Sequence, residues 1–83
     1  MAEITEIISK IEDVSKNADV PRKIRERLNK VAEELKNENQ DIAIRVTTAI
    51  YELDLISNDI NIPVHIKTIL WDIIGELEGA IKC

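Results

Sequence analysis

Residues 50 to 77 read IYELDLISNDINIPVHIKTILWDIIGEL, and the parsing of this stretch decides the fold. Ile50, Leu53 and Ile56 recur at threes, the spacing of one helical face. Asn58 to Asn61 interrupt the pattern with side chains that compete for backbone hydrogen bonds and so favour turns. Pro63 follows. Proline is tolerated in a first helical turn because its missing N–H would be unpaired there anyway. Ile66, Ile69, Leu70, Ile73 and Leu77 then resume a spacing of threes and fours. The stretch therefore predicts the end of one helix, a short break and a second helix. Residues Ile8 to Leu35 follow the same plan around Pro21.

The two prolines stand 42 positions apart, and at that offset Ser15 meets Ser57, Leu28 meets Leu70 and Glu34 meets Glu76. Apolar matches are forced on any two amphipathic helices, so the Pro, Ser and Glu matches carry the argument. They point to a helical hairpin used twice. A period near 40 falls among the paired-helix repeats, but such arrays need about three units to be stable. Two hairpins closing on each other bury all four apolar faces instead, and short breaks make successive helices antiparallel neighbours. The expected fold is all-α: a compact up-and-down four-helix bundle of two duplicated helical hairpins, one domain over residues 1–83.

The first helix is expected over Glu3 to Lys16, its face formed by Ile4, Ile7, Ile8, Ile11 and Val14. The second runs from Val20 or Pro21 to Lys36, with Asp19 as its N-cap. The third is capped by Asp41 and ends near Ser57; Ile42 to Val46 alternates like a strand, but Ala49, Ile50 and Leu53 extend the helical period. The fourth runs from Ile62 or Pro63 to Ala80, with Asn61 as cap and Ile69 and Ile81 among its inward residues. Gly79 marks where that helix should begin to fray.

Composition bounds the function. Sixteen isoleucines dominate the apolar share, and Tyr51 and Trp71 are the only aromatics, so little surface exists for stacking on bases. A net charge of −5 opposes bulk attraction to nucleic acid and to anionic membranes. Cys83 is the sole cysteine and cannot form an intrachain disulfide; it reads as an exposed terminal thiol in a reducing, cytoplasmic setting. The start, MAEITEIISK, carries acids where a signal peptide carries bases. No apolar run approaches the roughly 20 residues that span a bilayer.

No catalytic constellation is visible, and neither a cofactor nor a metal is implied. His65 is the single histidine, and Gly75 and Gly79 are the only glycines, which excludes two-histidine metal motifs and glycine-rich phosphate loops. His65 in a first turn reads as a packed or capping residue, with a proton switch as the sharper alternative. Glu52, Asp54 and Asp59 read as a solvated face rather than an acid–base pair. The chain is expected not to be an enzyme.

Several segments resemble the small archaeal proteins of uncharacterised protein family 0147. They are Val20-Pro-Arg-Lys-Ile-Arg25, Asp41-Ile-Ala-Ile-Arg45, and Asp59-x-Asn61-x-Pro63-x-His65 continuing to Trp71. The resemblance covers nearly the whole chain. It implies an all-helical, cytoplasmic bundle and supplies no activity, cofactor or functional residue. Lys67 stands where that family often has arginine, so a forked, bidentate contact is not implied there.

Two surfaces remain. Arg22, Lys23 and Arg25, with Arg27 and Lys30, crowd the first half of the second helix, where cations oppose the helix dipole. Acids of helices one and three would compensate them; an anion or RNA site is the alternative. Residues 19–40 carry a net +1 and residues 41–60 a net −3. Arg45 is expected to pair with Asp41 one turn back. The second surface is an extra apolar stripe: Ile44, Tyr51 and Leu55 on helix three, Val64 and Trp71 on helix four. A monomeric bundle needs one apolar face per helix. Deeper wrapping by the bundle or its termini would explain the stripe, as would a foreign protein. Self-association into a homodimer through helices three and four is the reading adopted, with an RNA or ribonucleoprotein accessory role as the alternative.

Overall fold

The computed structural model describes residues 2–81, with side chains from Ile4 onward. Cys83, and the expectation placed on it, lie outside the described residues. Four helices make up the fold: α1 (Ala2–Ser15), α2 (Arg22–Lys36), α3 (Ile42–Ser57) and α4 (Val64–Ile81). The described residues contain no strand. Each helix packs on its neighbours in sequence, and α1 closes the ring against α4. The molecule is 32 Å long, comparable to the span of about 27 Å expected for α4 at 1.5 Å per residue.

The core is aliphatic throughout. Ile7, Ile11, Leu28, Leu35, Leu53 and Leu70 are all but sealed from solvent. Leu28 and Leu70, matched at the 42-residue offset, are both fully buried. Ser15 and Ser57, also matched, are the buried polar side chains. Their hydroxyls donate to the carbonyls of Glu12 (2.6 Å) and Asp54 (2.8 Å), so neither is left unpaired inside.

The loops repeat one hydrogen-bonding scheme. Side-chain oxygens of Asn17 and Asp59 accept from the N–H two residues on, at Asp19 and Asn61. Backbone bonds Val20 to Asn17 and Ile62 to Asp59 close the turns. The middle loop does the same with Asn37, which accepts from Asn39. These are Asx turns, which a short polar side chain makes locally. Their shared geometry belongs to a helix–helix connector used three times, not to the outer loops alone.

This scheme corrects two expected caps. Asp19 and Asn61 are held inside the turns as donors. The helices begin later because Val20 and Ile62 each precede a proline, which disfavours helical backbone at the residue before it. Pro21 occupies the N-cap of α2 with no side-chain cap bond. Its carbonyl accepts from Arg25 at 3.0 Å, as that of Pro63 accepts from Lys67. Asp41 caps α3 as expected, accepting from Ala43. Two inward residues are also corrected: Ile69 is 38% and Ile81 45% exposed. Ile69 lies on the edge of α4 that borders the α1 groove, and Ile81 sits at the end of α4. The helix continues past Gly79.

Arg45 does not pair with Asp41. Its guanidinium reaches back to α2, donating to the Leu35 carbonyl at 2.8 Å and the Gln40 carbonyl at 3.0 Å. The last carbonyls of a helix have no partner inside it. A cation there also complements the dipole, so Arg45 fastens the two hairpins together.

Candidate protein-docking face

α3 sets the geometry. Its buried residues Val46, Ala49, Leu53 and Ile56 define the inward direction. A helix turns about 100° per residue, which places Ile44, Tyr51 and Leu55 on the opposite side. They are exposed, Tyr51 by 64%. α4 buries Ile66, Leu70, Ile73 and Leu77, and Val64 (78%) and Trp71 (54%) stand outward. All five residues expected to form the apolar stripe are therefore on the surface, on two helices that pack side by side. Deeper wrapping by the described part of the bundle does not cover them.

Sequence reasoning missed Ile60. It is the most exposed large hydrophobic among the described residues, at 92%, in the α3–α4 loop. An isoleucine between Asp59 and Asn61 at a turn tip was the available signal. The outer faces of α1 and α2 show no exposed large hydrophobic among the described residues.

The face is acidic at its margins. Glu52 and Asp54 fall on either side of the α3 stripe, and Asp72 and Glu78 flank the α4 line. Among the described residues none of these four has a cation within 4 Å. Two acids elsewhere are held in short ion pairs: Lys10 bridges to Glu76 at 2.7 Å, and Lys36 to Glu12. The hydrogen bond to Lys36 lowers the Glu12 pKa, and the same bond raises that of Lys36; the bond to Glu76 raises that of Lys10.

The basic start of α2 is arranged differently from expectation. Acids of α1 and α3 do not neutralise it. Arg22 has a loose pairing with Glu26 of its own helix, at 3.7 Å. Lys23, Arg25, Arg27 and Lys30 have no carboxylate within 4 Å among the described residues. The Nε of Arg25 is shielded from solvent without a partner. His65 is exposed, with Nε2 3.6 Å from Asp19, across the α1–α2 and α3–α4 ends.

Grooves run between the helices. One, of about 370 Å³, runs between α1 and α4 under the Lys10–Glu76 pair. The larger, of about 670 Å³, has Ile4, Ile8 and Ile42 beside Glu12, Lys36 and Arg45. Those three charged groups are already engaged with each other or with backbone, and Glu38 also lines this groove. No group of three His, Cys, Asp or Glu among the described residues could hold a metal ion. No described helix is long and apolar enough to cross a membrane.

The helices, loops and outer stripes give a pattern that can be compared with known proteins. The family described as Uncharacterised protein family (UPF0147) matches residues 1–80. The chain belongs to this family. The UPF0147 protein of Pyrococcus furiosus is 39% identical, over 94% of this chain and 89% of its own length. That of Methanosarcina mazei is 33% identical, over 90% of this chain and 81% of its own. The crystal structure of the unknown-function protein MMP1188 superposes with a TM-score of 0.86 at 39% identity, covering 92% of this chain and 86% of that one. The all-helical UPF0147 fold expected from the sequence is thereby shown.

Proposed function

We propose that this UPF0147 protein is a non-catalytic docking module that binds another protein surface through the outer face of α3 and α4. One observation carries the reading: Ile44, Tyr51, Leu55, Val64 and Trp71 are exposed together on adjacent helices while the first hairpin keeps its outside polar. Exposed apolar side chains with aromatic members on neighbouring helices are characteristic of interaction sites. Its exposure is costly to solubility and is not needed for the core.

The test pairs Tyr51→Glu/Trp71→Glu with Arg22→Glu/Lys23→Glu. Surface changes of this kind alter stability by about 0.5 kcal/mol or less, so the fold survives both. Affinity capture from the native cell and sedimentation equilibrium are compared with the unmodified protein. The face variant loses its protein partner or its self-association, and the α2 variant keeps them. If the face variant retains every partner and the same mass, the reading falls.

A second reading rests on the α2 cations. They sit at the positive end of a helix with no acid in its first turn, and their charge is largely uncompensated. An RNA accessory role would use Arg22, Lys23 and Arg25. Binding at low salt that weakens with added salt and with the α2 variant supports it; equal binding by both proteins rules it out.

A further inference from the structure

We propose that the occupant of the α3–α4 face is a cationic amphipathic segment of a different protein, not a second copy of this chain; this rests on the docking reading above.

The argument is charge. The apolar stripes are bordered by Glu52, Asp54 and Glu78, and on the α1 side by Asp72, which also lies near Lys10; none of the four has a cation within 4 Å among the described residues. Asp59 adds a fifth acid at the loop, although one of its oxygens already accepts from Asn61. Against them stand Lys67, on the α3-facing edge of α4, and His65, which is near Asp19. Arg45 is committed to the Leu35 carbonyl of α2 and the Gln40 carbonyl of the loop after it.

A symmetric dimer brings the same patch onto itself. Here that contact sets one unpaired acidic margin against another, in a chain already at −5. Like charges across an interface are among the strongest means of rejecting a partner. Nucleic acid and anionic membrane meet the same repulsion. A segment with apolar residues every three or four positions and lysine or arginine between them satisfies both parts of the face. Its apolar side covers Tyr51 and Trp71, and its cations reach the acids on either flank.

The probe is a leucine/lysine amphipathic peptide of about 18 residues, enough for five helical turns. A leucine/glutamate peptide of the same pattern is the control. Trp71 is the only tryptophan, so its emission reports on this face directly. Saturable binding of the leucine/lysine peptide with a blue shift of Trp71 is expected, with none for the leucine/glutamate peptide. Asp54→Lys/Glu78→Lys weakens binding by about tenfold or more, and salt weakens it further. Glu33→Lys, on the exposed side of α2, leaves it unchanged.

Three results overturn the inference. One is equal binding of both peptides. Another is equal loss with Glu33→Lys, which would mean attraction to net charge alone. The third is a tight dimer in sedimentation that Trp71→Glu dissolves. In that last case the docking reading stands and only the partner is wrong. If Tyr51→Glu/Trp71→Glu changes neither peptide binding, partners nor mass, both fall.

Discussion

α2 and α3 lie side by side, and each buries five residues against the same core. Their other sides differ completely. α2 turns Arg22, Lys23, Glu26, Asn29, Lys30 and Glu33 to solvent; α3 turns out Ile44, Tyr51 and Leu55 beside Ala43, Thr47 and Asp54. α2 is what a helix in a monomeric bundle requires: one apolar stripe and a charged remainder. α3 carries apolar surface beyond that requirement. Because both helices satisfy the same interior, packing accounts for the first stripe of each and not for the second stripe of α3. The contrast extends to charge. Glu12 and Glu76 are paired with Lys36 and Lys10 of the first hairpin, while Glu52, Asp54, Asp72 and Glu78 around the α3–α4 face have no cation within 4 Å among the described residues.

The largest expected effect tests whether the two interiors are equivalent. Leu28→Ala and Leu70→Ala remove matched, fully buried side chains. Each should cost about 2–5 kcal/mol in urea unfolding, with the two values close together. A large disparity would break the comparison by showing that one hairpin carries the core.

Next comes the tie between hairpins. Arg45→Ala leaves the Leu35 and Gln40 carbonyls without their donor and should cost about 1–3 kcal/mol. Arg45→Lys, which lacks the planar fork, restores only part of this. Hydrogen exchange should show the end of α2 loosening first.

A smaller change should stabilise the second hairpin. An added Cβ at Gly75 meets nothing within 4 Å, and its φ is not positive. Gly75→Ala should therefore raise stability by about 1 kcal/mol, with a higher Tm. The smallest effect concerns pH. Glu12 is lowered from 4.5 by its bond to Lys36, so that part of stability is present above 4.5 and is lost as pH falls through the lower folded value. Lys10 and Lys36 are raised from 10.5, so their part is present below 10.5 and is lost as pH rises through the higher folded values. A Tm profile should be flat between these limits, and Glu12→Gln should flatten its acid shoulder.

Much of this was legible without coordinates. Helix positions followed from periodicity because a buried stripe repeats wherever a helix meets a core. The outward stripe was legible for the same reason: Ile44, Tyr51 and Leu55 fall opposite Val46, Leu53 and Ile56 on any α-helix. Asp19 and Asn61 do not act as the caps that the sequence suggests, since an Asx residue two positions before a proline suits a cap and a turn equally well. Ile69 looked internal because its spacing fits the stripe, and its position on the α1 border becomes visible only with α1 in place.

Local spacing thus determined the four helices, their inner faces and the apolar residues left over, because side-chain direction on a helix depends only on residue number. Which long side chains reach across was decided by assembly. Arg45 spans to α2, Lys36 reaches Glu12 and Lys10 reaches Glu76, while the acids of the outer face have no cation within 4 Å among the described residues. Such pairings depend on distances between elements far apart in the chain, and those distances exist only after the helices have packed.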